Sequence, residues 1–270
     1  MDFITNKLII VFIFMMVITT LETLAYATRL SGARVGYIAS SLALFNILII
    51  VSRFSVMIQQ PLTGKLITEV SSHDKLNIVA TQYRIIIGAT TIGTILGILL
   101  LPTFVTLFSR AIIQLSVGNG SIIDLFCKWL NFKGLKRCYQ NLCAPNVSYL
   151  QGIRFRDFPK RLFLINVVVT SVYTIGVLSS LYASLLVPEN AAAAIMSSGI
   201  INGVATILLT IFIDPKISIL ADRVVKKQAN YLNLKSYSIA MVASKLLGTI
   251  LAQLLFIPGA HYIAWFSNWI

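Results

Sequence analysis

Six stretches of the chain are almost wholly apolar, at about 5–28, 35–59, 79–105, 161–187, 191–213 and 237–257. Each meets the roughly 20 residues that an α-helix needs to cross a bilayer. The pattern predicts an all-α, polytopic membrane protein with six transmembrane helices. Two shorter segments alternate apolar and polar positions at helical spacing. After Asp214-Pro215, Ile217, Leu220, Ala221, Val224 and Val225 form one face, with Lys216, Arg223, Lys226 and Lys227 off it. Asp214 reads as an N-cap with proline at the first helical position, opening an amphipathic helix on the membrane surface. A counterpart after Pro61 carries Leu62, Leu66, Ile67 and Val70. The longest polar interval, 110–156, holds Ser121-Ile122-Ile123-Asp124, a variant capping box. Ile122, Leu125, Phe126, Trp129 and Leu130 follow it at helical spacing.

The apolar stretches repeat. Ile92-Gly93-Thr94-Ile95-Leu96 with Pro102 answers Leu247-Gly248-Thr249-Ile250-Leu251 with Pro258. At nearly the same shift Tyr26-Ala27-Thr28 answers Tyr182-Ala183-Ser184. Ile38-Ala39-Ser40-Ser41 likewise answers Ile195-Met196-Ser197-Ser198, Asn46 answers Asn202 and Pro61 answers Pro215. Three spans per copy is an odd number, so the second copy enters from the opposite side, giving two inverted-topology repeats. The expected organisation is 1–110, a first three-helix repeat; 111–156, a basic connector; and 157–270, a second repeat. Gly93 and Gly248 read as close helix contacts, and Pro102 and Pro258 as helix ends or kinks.

Charge orients this arrangement. The net charge is +13, yet only 11% of residues are charged. Sixteen cations fall on one face: Arg29 and Arg34, the connector cluster from Arg110 to Arg161, and Lys216 to Lys235. Lys7, Lys65 and Lys75 fall on the other. The positive-inside rule places the first face in the cytoplasm and both termini outside. Lys7, the apolar run and Ala25-Tyr26-Ala27 imitate a signal peptide, but Glu22 interrupts the run, which favours an uncleaved first span. No basic stretch accompanies a nucleic-acid recognition fold, so the basic balance points to anionic lipid rather than nucleic acid.

No catalytic constellation is present. Two histidines, His73 and His261, lie outside the predicted spans, and no phosphate-binding loop for ATP occurs. The three cysteines, Cys127, Cys138 and Cys143, sit far from both histidines and do not suggest a metal site. The expectation is therefore a non-enzyme without cofactor or metal. The informative residues are charges inside spans: Glu22, Arg53, Arg84 and Lys245. Burying each costs about 2.5–3.5 kcal/mol on insertion scales. They require partners or a hydrated cavity, unless the arginines reach the surface along their stems. Two arrangements satisfy them. In one, Glu22 and Lys245 form a structural ion pair. In the other, Arg53, Arg84 and Lys245 face one cavity, Lys245 is the principal contact to an anion, and Arg29 and Arg34 flank the cytoplasmic mouth. Glu22, taken as the only acid in a span, cannot neutralise three cations. Asn46 and Asn202 either bond between helices or line that cavity. A cationic seam suits phosphate oxygens, and inverted repeats around a central polar site are transporter architecture. The residues alone leave lipid, small anion and cation open as cargo.

The stretch from Leu21-Glu22-Thr23-Leu24-Ala25-Tyr26 through Arg29, Ser31-Gly32-Ala33-Arg34 to Gly36 resembles the Amj family, the alternate lipid II flippases of bacteria. Ile38-Ala39-Ser40-Ser41 and Val51-Ser52-Arg53 extend the resemblance, which is dense over about 20–65 and general beyond. It implies translocation of lipid II, a polyprenyl pyrophosphate carrying a disaccharide–peptide, from the inner to the outer leaflet of the bacterial cell membrane without ATP hydrolysis. It assigns no residue roles. The partners expected are lipid II and membrane lipids. Rival readings are a secondary transporter or exporter of a small anion, and a non-transporting scaffold for cell-wall enzymes.

Overall fold

The computed structural model describes residues 5–70, 74–117 and 160–269. Six helical segments in it are long and apolar enough to cross a membrane. Helix α1 runs from Asn6 to Val35 and α2 from Ile38 to Glu69. Helix α3 runs from Lys75 to Val117 and α4 from Lys160 to Leu186. A 3-10 turn, Pro188–Asn190, leads into α5, Ala191–Leu208. A π-helical turn, Leu209–Ile213, joins α5 to α6, Asp214–Val225, and α7 runs from Tyr231 to Trp269. No strand occurs among the described residues.

Local chemistry sets the turns. Thr5 caps α1 by accepting the Leu8 N–H at 3.3 Å. Gly36 ends α1 in the left-handed region (φ 82°), where a side chain would be strained. Its N–H and that of Tyr37 both close on the Gly32 carbonyl, at 2.9 and 3.1 Å, so α2 starts at once.

The helices are longer than the hydropathy pattern predicts. Pro102 and Pro258 lie inside α3 and α7, not at their ends. Pro61 lies inside α2, so the surface helix expected after it is the continuation of the span, with Leu66 buried in the core. Leaving the helix within lipid would expose unpaired backbone groups, so the chain keeps its ladder through a proline. At 1.5 Å per residue, the 43 residues of α3 span about 64 Å. The bilayer with its headgroups is about 40–45 Å thick, so α3 projects beyond it. The helix takes in the first seven residues of the expected connector. The remainder, with the Ser121–Asp124 box, Trp129 and the cysteines, lies outside the described residues.

Helix α1 packs on α3 and α2; α4 packs on α7 and α5; α3 and α7 join the two sets. The tight contacts need small residues. A Cβ on Gly93 would fall 2.4 Å from the Met16 carbonyl oxygen on α1. A Cβ on Gly248 would fall 2.9 Å from the Val167 carbonyl oxygen on α4. The two glycines expected to correspond thus each let a third helix touch the first helix of its own set. Two large apolar clusters make up most of the core, with a small third one of Ala183, Ala194, Ile263 and Ala264. One large cluster gathers Leu24, Leu30, Leu44, Val105, Ile112, Ile213, Ile217, Leu234 and Met241. The other gathers Leu8, Val11, Leu66, Tyr83, Ile86, Leu178, Tyr182 and Phe256. The Phe256 ring there meets Tyr83 and Tyr182 edge-on, at 6.1 and 5.5 Å. Along α1, α3, α4 and α7 polar residues gather between these clusters: Thr19 and Glu22, Thr90 and Thr94, Asn166 and Thr170, Ser244, Lys245 and Thr249.

Candidate functional site

That polar layer opens on a cavity of about 230 Å³ lined by all six spans. On α2 the lining runs from Phe45 to Gln59, about 21 Å at 1.5 Å per residue, or most of the roughly 30 Å hydrocarbon core.

Glu22 reaches the cavity from the middle of α1. Its Oε2 accepts from Lys245 Nζ at 3.1 Å, and its Oε1 accepts from Ser52 Oγ at 2.6 Å. The Lys245 and Glu22 side chains are 9% and 16% exposed. The structural ion pair is therefore formed, and Lys245 is not a free cation. Desolvating an ammonium and a carboxylate costs several kcal/mol each, which their attraction and the Ser52 hydroxyl offset.

Arg53 comes from α2. Its guanidinium donates to Thr206 Oγ1 on α5 and lies 5.4 Å from the centre of the Tyr173 ring on α4. It does not run out to the surface. Among the described residues no acid pairs with it. It is thus the cavity cation that has no acid partner among the described residues.

Arg29 differs from the expectation of an open mouth. It is 1% exposed; its guanidinium donates to Asp214 Oδ1 at 2.8 Å and lies 3.9 Å over the Phe45 ring. Asp214 and Phe45 line the end of the cavity nearest the α1–α2 turn. The cluster ties α1, α2 and α6 together there. Asp214 is consequently a second acid facing the cavity, and Glu22 is not alone. Nor does Asp214 cap α6: Ile213 holds that position, and the π turn carries the helix into Asp214 without a break. The buried arginine claims the carboxylate.

Arg84 and Arg34 do not reach the cavity. Arg84 is exposed on α3, where its backbone carbonyl accepts from Gln253 Nε2 at 2.9 Å. Arg34 is exposed in the last turn of α1. His261 lies in α7, not beyond a span, and is exposed with Nδ1 3.0 Å from the Ile257 carbonyl. Asn46 and Asn202 both line the cavity. Asn202 settles over Gly176, where a Cβ would come within 2.5 Å of its Oδ1.

Uncharged members of the site were missed in the sequence. Asn166, Thr170 and Thr174 on α4, and Thr206 and Thr210, one and two turns beyond the expected Asn202, line the cavity. Both sets follow the spacing i, i+4, i+8, which puts them on one helix face. A search for polar stripes rather than charges would have found them. Asp214 shows as an acid at the end of an apolar stretch, on the face that carries Arg29.

Helices α2 and α5 share this cavity, yet their backbones scarcely approach one another. The Arg53–Thr206 bond bridges them. Beside it on α2, Ile50, Phe54 and Met57 are exposed; on α5, Ile200, Val204 and Ile207 are.

A family model described as Amj, alternate to MurJ, matches residues 14–267. The chain is 55% identical over 269 residues to the lipid II flippase Amj of Bacillus subtilis (strain 168), covering 100% of both chains. No solved structure matches.

Proposed function

The chain belongs to the Amj family, and from that premise we propose that it is a lipid II flippase of the cell membrane. It carries the lipid-linked peptidoglycan precursor from the inner to the outer leaflet by binding and release, with no covalent step and no ATP hydrolysis. The observation that carries this reading is Arg53, a cation without an acid partner among the described residues, set between two helices that barely touch. A phosphate placed there would exchange the Thr206 hydroxyl for charge-assisted bonds, and the polyprenyl tail would pass between the apolar faces of α2 and α5. Lys245 is the second phosphate contact, reached when the anion competes with Glu22. A transporter of small anions needs a site sealed from lipid, and a scaffold needs no cavity, so the loose α2–α5 seam favours the lipid cargo.

The cavity is smaller than the roughly 300–1,000 Å³ of sites for drug-sized ligands, and a disaccharide–peptide is larger still. The state described is contracted, with Arg29, Asp214 and Phe45 closing the end that the charge bias assigns to the cytoplasm. Opening separates α2 from α5. The matching Gly93 and Gly248 contacts support a repeat relation between 1–110 and 157–270; the odd number of spans per copy favours inversion, and the charge bias favours both termini outside.

The test is the amount of lipid II accessible at the outer leaflet in cells depleted of other flippases. The wild-type chain restores it and Arg53→Met does not. Equal accessibility with and without the wild-type chain overturns the reading.

A further inference from the structure

The cavity wall has a second chemical character besides its cations. Asn166 is 1% exposed on α4. Its Nδ2 donates to the Met241 carbonyl at 3.0 Å and to Ser244 Oγ at 2.6 Å. A carbonyl only accepts, so the orientation of the amide is fixed. The Ser244 hydroxyl spends its own hydrogen on the same Met241 carbonyl, at 2.8 Å, and offers Asn166 only a lone pair. Asn166 Oδ1 is therefore left out of these bonds to α7, buried and without a partner among the described residues, in a residue that lines the cavity. Asn202 Oδ1, across on α5, is buried and unpartnered as well.

The hydroxyls around them are committed in the same sense. Thr19 donates to the Met15 carbonyl at 2.6 Å, Thr90 to Ile87 at 2.7 Å and Thr174 to Thr170 at 2.7 Å. Thr206 donates to Asn202 at 2.6 Å and Thr249 to Leu246 at 2.8 Å. With their hydrogens turned back on their own helices, these hydroxyls are left as acceptors, and Thr206 already accepts from Arg53. The wall is thus acceptor-rich beside the cations. Phosphate oxygens satisfy Arg53, but they repel lone pairs and cannot donate to them. A cargo that reaches these buried acceptors brings its own donors or leaves them unmade.

We propose that Asn166 is a specificity-determining residue. Its side-chain carbonyl accepts from a hydroxyl or acetamido N–H that the cargo carries next to its pyrophosphate, so a glycosylated polyprenyl pyrophosphate is selected over a bare one. The proposal rests on the flippase reading above and goes beyond it in naming the group read by the protein. A site built to hydrogen-bond a cargo group rejects the analogue that lacks it, because its own polar groups are left unpaired.

The experiment uses the full chain reconstituted in vesicles with two short-chain probes, heptaprenyl pyrophosphate and the same lipid carrying the N-acetylated sugar and peptide. Transbilayer movement of each is followed by accessibility at the outer surface. The wild-type protein is expected to move the glycosylated probe at least about tenfold faster, a discrimination within reach of one polar contact. In Asn166→Leu the ratio falls to near one. The smaller Asn166→Ser serves where Asn166→Leu folds poorly, and a folded variant of either kind that keeps the wild-type ratio overturns the role of Asn166. Equal wild-type rates for the two probes overturn the role of Asn166 and leave the flippase reading standing. No movement of either probe overturns that reading, and this proposal with it.

Discussion

Replacing Lys245 by Met keeps the length of the side chain and deletes its charge. The partner left behind is Glu22, which then keeps only the Ser52 hydroxyl of its two donors. Removing one half of a buried ion pair costs about 3–5 kcal/mol. The Glu22 side chain is 16% exposed and faces the cavity, where water can take over part of the solvation, so the lower end applies, about 3 kcal/mol. For a chain of this size each kcal/mol moves the unfolding midpoint by about 2–4 °C, which gives a fall of about 6–12 °C. Glu22→Gln combined with Lys245→Met removes the stranded charge, while Gln still accepts from Ser52. It should recover at least half of the loss, about 2 kcal/mol of coupling between the two positions. The assay is thermal unfolding of the purified protein in detergent, followed by tryptophan fluorescence, for wild type, both single variants and the double. A Lys245→Met midpoint within about 2 °C of wild type would refute the reasoning. So would a double variant no more stable than Lys245→Met alone.

Asp214→Asn leaves the buried Arg29 with the Phe45 ring and no carboxylate. It should lower membrane abundance, with a cost of about 3 kcal/mol, and the exchange Arg29→Asp with Asp214→Arg should recover part of it. Gly93→Ala and Gly248→Ala should each destabilise by about 1–3 kcal/mol, because the new methyl meets backbone of α1 or α4. Gly199→Ala, with nothing within 4 Å, is the control, and an equal loss there removes the argument. Native Cys138 should react with an impermeant thiol reagent only after the cells are opened; labelling of intact cells would reverse the membrane orientation.

The six spans were legible in the sequence because lipid leaves one solution for each long apolar stretch, a helix with its backbone bonds closed. Helix ends were not, since a helix that meets water at the interface keeps its ladder, as α3 does to Val117. The prolines misled for the same reason. Within the site, Glu22, Arg53 and Lys245 stood out because a charge among apolar residues is conspicuous. Their partners did not. The Arg29–Asp214 contact joins residues 185 apart, and local rules gave Asp214 a competing role as a cap. Whether an arginine turns inward or outward depends on which neighbour stands beside it. Arg53 finds Thr206 and Tyr173, whereas Arg84 stays exposed. Asn202 stood out through the repeat, whereas Asn166 and the threonines in register with both asparagines were visible as spacing but carry no charge to mark them.

The polar layer between two apolar clusters has an electrical consequence. A membrane holds its potential only while no continuous aqueous thread crosses it, and a protein that admits a charged headgroup is a standing threat to that insulation. Here the polar middle is bounded by layers of mostly apolar side chains that do little to replace an ion's hydration. On one side stand Phe256, Tyr83 and Tyr182; on the other, Leu24, Leu30, Val105 and Met241. Stripping a bare ion for such a passage costs far more than thermal energy supplies. A cell carrying many copies of this protein therefore keeps its protons and potassium ions on their own sides, provided that the two dry layers are never breached together.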